Sequence, residues 1–259
     1  MRAIQNIIHF IPLAFFLSCN QSGYNYPRIP EITNESGLPK DSLAFYYSTF
    51  EPVDTTQMEF VRDTFWQTYF SANLFAFKEP ILFNNYLGRD IYRFLWLRSF
   101  HLPMVFSLAD SNGVITLTTK KLDRQPLYRD YAYSPDDPKQ DSIYREQGYK
   151  LIKQIDTLEN GKTDDYTIVK ADRRGYIIYD STITLTETDW SRFKKLLEET
   201  KFWSLTPYYW AGHTDGAAWI IEAHTKKKYK YIVMQSPDGK VRELGELLVE
   251  LSRSKEEIY

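Results

Sequence analysis

The sequence predicts an α+β fold, with a mainly antiparallel sheet built from hairpins and about three helices packed on one face of it. Alternating apolar runs joined by short polar turns predict the hairpins, and three segments with apolar residues at spacings of three and four predict the helices. An aromatic fraction of 16% suits a β-rich fold, and 259 residues that are 43% hydrophobic are ample for one domain of ordinary size.

The N-terminus predicts a signal peptide over residues 1–18. Arg2 precedes an apolar run, Ile7 to Leu17, that is too short to span a membrane as a helix. The run ends in Ser18 and Cys19, which resemble the lipobox of bacterial lipoproteins, although the two residues before Ser18 depart from its usual pattern. The resemblance implies that Cys19 is lipidated and begins the mature chain. The alternative is an ordinary signal peptide, or a membrane-inserted start, with an incidental cysteine.

Composition limits the chemistry of the mature chain. Cys19 is the only cysteine, so disulfides, thiol catalysis and cysteine-ligated metals are excluded. The whole chain has 32 basic and 34 acidic residues, and loss of Arg2 with the signal leaves 31 against 34, a net charge of −3. A balance so close to neutral indicates neither nucleic acid nor an anionic membrane surface as a partner.

The chain after the signal divides into a tether and one domain. Glycines and prolines among polar residues from Asn20 to Lys40 predict a flexible tether that follows the lipidated Cys19, so that residues 19–40 would link the lipid to the domain. Residues 41–259 are then a single α+β domain. A surface insertion is expected near 122–148, where prolines accumulate and periodicity is lost.

The first helix is predicted from Asp54 to about Phe77, with Glu79-Pro80 as its breaker. The strand that follows, Asp90 to Phe100, is apolar on both faces, yet each face holds one arginine, Arg93 or Arg98. A buried guanidinium requires acceptors. The two candidate acceptors are Glu79 and Glu222.

The middle of the chain predicts further strands and a capped helix. Thr186 and Asp189 are spaced as a capping box before a helical face that ends near Trp203. The predicted strands are Met104–Leu108, Val114–Lys121, Tyr149–Asp156, Tyr166–Lys170 and Tyr176–Leu185.

A final hairpin and helix close the chain. The strands Ala218–His224 and Tyr229–Met234 flank a turn that carries three lysines, and apolar residues from Val241 to Leu251 recur at helical spacing. Lys226, Lys227 and Lys228 are interpreted as a solvated tip rather than a nucleic-acid site, because no aromatics are interleaved with them. His224, beside these lysines, is expected at the surface.

The candidate site is one set of polar residues: Arg93, Arg98, His101, Asp215 and Glu222. Glu222 lies within an apolar strand face, so the set is either a buried ion-pair network or a binding site. The sequence contains no Gly-rich phosphate loop, nucleophile elbow or HExxH. No catalytic residue, metal ligand or cofactor is therefore assigned.

Two segments resemble uncharacterised bacterial proteins that contain a domain of unknown function. They are YRFLWLRSFHLP following FAFKEPIL, and DGAAWIIE with the later SPDG and RELGELL, within roughly residues 70–121 and 190–251. The resemblance implies no activity and no site.

Three functions remain open. The leading one is a bacterial envelope lipoprotein, exported to the periplasmic or surface face of a membrane, that binds a partner or ligand without catalysis. The second is an exported hydrolase of an envelope polymer that uses Glu222 with Asp215 or Glu79, which requires carboxyl groups roughly 5 to 10 Å apart in an open cleft. The third is an inhibitor or immunity-type lipoprotein with an acidic face. A sealed pair of Glu222 with an arginine would favour the first.

Overall fold

The computed structural model describes residues 24–48, 64–133, 138–209 and 215–258. These ranges contain helices and a mainly antiparallel sheet, so the predicted α+β class is confirmed. The helices are α1 (Thr64–Ala76), α2 (Pro138–Glu146), α3 (Glu187–Glu199) and α4 (Gly239–Leu251). The strands are β1 (Asp90–Arg98), β2 (Met104–Ser111), β3 (Val114–Leu122), β4 (Tyr131–Tyr133), β5 (Leu151–Thr157), β6 (Thr163–Val169), β7 (Ile177–Thr184), β8 (Tyr208–Tyr209), β9 (Ala217–His224) and β10 (Tyr229–Gln235).

The main sheet has seven strands in the order β7-β3-β2-β1-β9-β10-β8. Its pairs are antiparallel except that β8 runs parallel to β10. A second sheet has the order β4-β6-β5. Strand β1 lies at the centre of the main sheet, between β2 and β9. In the register of these strands, Arg93 is directly opposite Ser107 on β2 and Glu222 on β9.

Both faces of the main sheet are covered, which corrects the expectation that the helices lie on one face. Phe94 and Trp96 on one face of β1 belong to the core formed with α3 and α4. Leu95 and Leu97 on the other face pack in a separate core with α1 and the segment around Tyr46. A strand that is apolar on both faces requires a cover on each side, and the first helix supplies the second cover.

The surface insertion expected near 122–148 contains regular secondary structure. It contains β4 and α2, and β4 pairs with β6 in the small sheet. A three-residue strand is too short to show alternation, and α2 lies on the surface with mostly polar residues, which explains why the sequence showed no periodicity there. The predicted start of the first helix, near Asp54, lies outside the described residues.

The flexible tether predicted up to Lys40 is wrong from Tyr24 onward. The side chain of Asn84 accepts a hydrogen bond from the backbone nitrogen of Ile29 at 2.8 Å and donates to its carbonyl at 2.9 Å. Thr33 and Tyr26 are buried. Prolines and glycines are tolerated in this segment because the side chain of Asn84, rather than a neighbouring strand, supplies hydrogen-bond partners to the irregular backbone. Among the described residues, no helix is long and apolar enough to cross a membrane.

Candidate functional site

Arg93 and Glu222 form a buried ion pair at the centre of the main sheet. The Nε atom of Arg93 donates to Oε2 of Glu222 at 2.9 Å, and its Nη2 atom contacts the same oxygen. Nη1 donates to the carbonyl of Pro80 at 2.7 Å, while the hydroxyl of Tyr229 donates to Oε1 of Glu222 at 2.8 Å. Arg93 and Glu222 are each 1% exposed, so the pair is sealed from solvent.

Glu79 extends this pair into a charge-balanced network. Its Oε1 lies 2.8 Å from Nζ of Lys120, and its Oε2 accepts from Ser107 at 3.0 Å and lies 3.7 Å from Nη1 of Arg93. Two cations therefore alternate with two carboxylates across the face that α1 covers. Burial is the largest influence on Glu222 and raises its pKa, and the positive charge of Arg93 opposes that rise. Burial lowers the pKa of Arg93, but the negative charges around it, Glu222 foremost, outweigh this effect and raise the pKa.

Arg98 lies on the opposite face and has different partners. Its Nη2 donates to Oε2 of Glu256 at 2.8 Å, and its guanidinium lies 4.0 Å from the ring centroid of Trp96. Glu79 and Glu222, the two acceptors expected from sequence, both serve Arg93 instead. Glu256 was missed because it is 158 residues away, in a C-terminal segment with no periodic pattern that could place it.

The five candidate residues do not converge on one site. His101 and Asp215 are exposed at one end of the main sheet, where the backbone nitrogen of Ser99 donates to the carbonyl of Gly216 at 2.9 Å. Glu222 is five residues beyond the start of β9, which is about 16 Å along a strand. Asp215 precedes that start, so it is too distant to act with Glu222 as a glycosidase pair. Cys19 lies outside the described residues.

His224 is fully buried, which corrects its expected place at the surface. Its Nδ1 lies 2.7 Å from the carbonyl of Leu82, and its Nε2 accepts from the backbone nitrogen of Leu87 at 3.2 Å. These partners fit a neutral ring with the proton on Nδ1. Burial lowers the pKa of His224 to about 4. The neighbouring lysines suggested exposure, but the chain around Leu82 and Tyr26 covers this end of β9.

An open groove lined by basic residues lies beside the tip of the β9–β10 hairpin. We call it the lysine groove; it has a volume of about 570 Å³ and runs between the end of α3 and the turn that joins β9 to β10. Two carboxylates, Asp90 and Glu198, also line it. Five lysines give it a net charge of +3: Lys194, Lys201, Lys226, Lys227 and Lys228.

Aromatic side chains contact two of the lysines of the groove. Nζ of Lys194 donates to the hydroxyl of Tyr92 at 3.2 Å, and Nζ of Lys228 lies 5.3 Å from the ring centroid of Trp203. Lys201 follows the end of α3 in a left-handed conformation, with φ of +52°. None of the five lysines forms an ion pair within the part of the chain that the structure describes. Their charges are thus free to attract an anion.

The lysine turn is joined to the beginning of the described chain. The backbone nitrogen of Tyr24 donates to the carbonyl of Lys227 at 2.8 Å. Two residues further on, the hydroxyl of Tyr26 donates to the carbonyl of Thr225 at 2.8 Å. The N-terminal segment therefore reaches the domain at the tip of the β9–β10 hairpin, beside the lysine groove.

Comparisons with known proteins found no match to this chain. No protein-family model matches the chain, and neither a curated protein nor a solved structure matches it. Over residues 24–48, 64–133, 138–209 and 215–258, no three His, Cys, Asp or Glu side chains are grouped so that they could hold a metal ion. The geometry of the described residues is the basis for any functional assignment.

Proposed function

We propose that this protein is a lipid-anchored, non-catalytic binding domain of the bacterial cell envelope, and that its anchor holds the lysine groove against anionic lipid headgroups. The hydrogen bond from Tyr24 to Lys227 carries this proposal, because Tyr24 is only five residues after Cys19. Five residues can span at most roughly 18 Å. A lipid on Cys19 would keep the lysine turn within that distance of the bilayer.

Charge supports the same arrangement. Juxtamembrane lysines are attracted to anionic lipids by about 1 kcal/mol each. The groove presents five of them without ion-pair partners in the described chain, although the mature protein as a whole is close to neutral. Local clustering, rather than total charge, determines whether a surface attracts anionic headgroups.

The hydrolase alternative has less support. Its proposed acid, Glu222, is sealed and bound by Arg93 and Tyr229, and Asp215 is too distant to assist it. Glu79 is near Arg93 but is 5% exposed and is occupied by Lys120 and Ser107. The inhibitor alternative called for an acidic face, whereas the groove at the hairpin tip is basic.

The test of the anchor is Cys19→Ala in the full-length chain, analysed by membrane fractionation and mass spectrometry. We expect a diacylated or triacylated cysteine on the parent protein and transfer of the variant from the membrane pellet to the soluble fraction, because several acyl chains anchor firmly. The matched control is Ser18→Ala, which keeps a small residue before the cysteine and should leave the protein in the membrane. An unmodified parent cysteine would reject the proposal.

A further inference from the structure

A second pocket, far along the chain from the lysine turn, is lined by apolar residues and by a buried arginine. We call it the Arg173 pocket. Its volume is about 360 Å³, which lies at the small end of the usual range for ligand pockets. Its walls are mainly apolar and come from the N-terminal segment, the end of α1 and the chain before β7: Leu38, Pro39, Phe75, Ala76, Gly175 and Tyr176.

Arg173 is the unusual residue of this pocket. It is 8% exposed, and its Nη1 donates to the carbonyl of Ser42, but it has no carboxylate within ion-pair distance in the described chain. Burial lowers the pKa of Arg173, and Asp41 only partly offsets this effect. A guanidinium removed from water without a carboxylate is costly, in contrast to Arg93, which has two. An anion in the pocket would supply the missing charge.

Tyr46 provides an independent observation at the same place. It lines the pocket and is 1% exposed, and its hydroxyl has no hydrogen-bond partner among the described residues. The charged groups that act on this hydroxyl are Arg93, Glu79 and Arg173, so it lies near both the central network and Arg173. A buried hydroxyl without a partner costs free energy, and a ligand oxygen beside Arg173 would satisfy it.

The lining as a whole selects the chemistry of the ligand. Lys78 and Arg174 also line the pocket, and no acidic residue does. One guanidinium with a hydroxyl matches a single carboxylate, to which arginine can make two parallel hydrogen bonds. The apolar walls match a hydrocarbon tail rather than a second charged group.

We propose that the Arg173 pocket binds a small amphipathic carboxylate of the fatty-acid class, with its carboxylate at Arg173 and Tyr46 and its tail along the apolar walls. The site is separate from the lysine groove and does not depend on the lipid anchor. Its ligand would be a free acid with a short or medium chain, since the pocket is small.

The test is titration calorimetry of the protein with octanoate, octanol and acetate. We expect octanoate to bind, and both octanol, which lacks the charge, and acetate, which lacks the tail, to bind at least tenfold more weakly. A charge-assisted hydrogen bond contributes enough for about a ten- to hundredfold difference in affinity. Equal binding of octanol and octanoate, or no binding of octanoate, would overturn the proposal.

Three variants locate the site. Arg173→Met should weaken octanoate binding by about ten- to hundredfold, and Tyr46→Phe by about fivefold, as expected for one hydrogen bond. Arg145→Met is the matched control, because Arg145 lies outside the pocket, is exposed and paired with Asp141, and should leave the affinity unchanged within about twofold.

A fourth variant covers the case in which Arg173→Met fails to fold. Leu38 lines the pocket and is 38% exposed, so Leu38→Trp adds bulk at the pocket without removing a buried group. We expect it to block octanoate binding while the melting temperature is maintained. Wild-type affinity for octanoate in Leu38→Trp, or in a folded Arg173→Met, would show that octanoate binds elsewhere and would refute the assignment.

Discussion

At the scale of single residues, three of the buried basic side chains differ in how they are compensated. Arg93 has two carboxylates, Arg98 has one carboxylate and an aromatic ring, and His224 avoids charge by remaining neutral. All three are less than 4% exposed, so each arrangement is required by the cost of burying a charge in a low-dielectric interior. Arg93 and His224 each make a separate prediction about stability.

The first prediction concerns the pair at the centre of the sheet. Arg93→Met and Glu222→Gln should each lower the free energy of unfolding by about 3 to 5 kcal/mol, because each leaves a buried partner uncompensated. The double variant should cost less than the sum of the two single variants, since the remaining charge has been removed. Chemical denaturation of the four proteins measures this coupling.

The control for this cycle is an exposed pair on the small sheet. Lys170 contacts Asp130, and their side chains are 42% and 45% exposed. Lys170→Met should change the free energy of unfolding by no more than about 0.5 kcal/mol. If Arg93→Met behaved like Lys170→Met, the central pair would not contribute to stability and a binding role would regain support.

The second prediction concerns pH and His224. Burial lowers the pKa of His224 from 6.5 to about 4, so the unfolded chain takes up this proton at a higher pH than the folded chain does. The associated stability is fully present above pH 6.5 and is lost progressively as the pH falls towards 4. The loss should amount to about 3 kcal/mol at most.

Replacement of the ring isolates this effect. Urea denaturation between pH 7 and pH 4 should show a shallower loss of stability in His224→Gln than in the parent, because the variant has no group that titrates at that position. His101→Gln, which removes an exposed histidine, is the matched control for the loss of an imidazole ring. Identical slopes in the parent and in His224→Gln would show that other groups determine the acid sensitivity.

At the scale of elements, one close approach fixes how α4 packs on the sheet. A Cβ atom placed on Gly245 would lie 2.7 Å from Cε3 of Trp219 on β9, so the indole occupies the space that a side chain would need. Both residues are buried in the core between the main sheet and α3 and α4. Gly245 therefore permits a contact between helix and sheet that no larger residue would allow.

The third prediction follows from that contact. Gly245→Ala should lower the free energy of unfolding by about 1 to 3 kcal/mol through overpacking. Helix propensity alone predicts the opposite sign, a gain of up to about 1 kcal/mol. Thermal and urea denaturation decide between them, with Glu246→Ala on the same helix as a control that should stay within about 0.5 kcal/mol. A more stable Gly245→Ala would mean that α4 can move away from Trp219.

Local patterns predicted the elements, whereas their contacts depended on the fold. Alternation gave the β9–β10 hairpin nearly to the residue, and the spacing of Thr186 and Asp189 gave the capping box that starts α3. The same patterns could not place α1 on the second face or bring Glu256 to Arg98, because no local signal encodes contacts across 158 residues. Arg173 was missed for the same reason, since its sequence neighbours indicated only a turn.

At the scale of the whole molecule, charge is distributed unevenly although it nearly cancels. The full chain has a formal net charge of −2, yet five lysines gather at the groove with two carboxylates. Three of these lysines are adjacent in sequence, and the other two arrive through the packing of α3 beside the hairpin tip. The first described residue, Tyr24, is bound to that same tip. The beginning of the described chain and the basic surface therefore coincide at the tip of the β9–β10 hairpin.

The last prediction tests this coincidence directly with vesicles. In the lipid-free chain that begins at Asn20, the triple variant Lys226→Gln, Lys227→Gln and Lys228→Gln should bind phosphatidylglycerol vesicles roughly a hundredfold more weakly than the parent chain. The estimate follows from about 1 kcal/mol for each lysine near an anionic surface. Binding should also decline as salt is added, because screening shortens the range of the attraction to about 3 Å at 1 M.

A matched triple variant separates position from total charge. Lys150, Lys153 and Lys162 are exposed and lie outside the groove, so their replacement by Gln removes the same charge elsewhere. Cosedimentation should then give wild-type affinity for phosphatidylglycerol, and neither the parent nor either variant should bind phosphatidylcholine vesicles. Equal losses in the two triple variants would mean that net charge, and not the lysine groove, attracts the membrane. Undiminished binding of the groove variant would place the membrane contact on another surface.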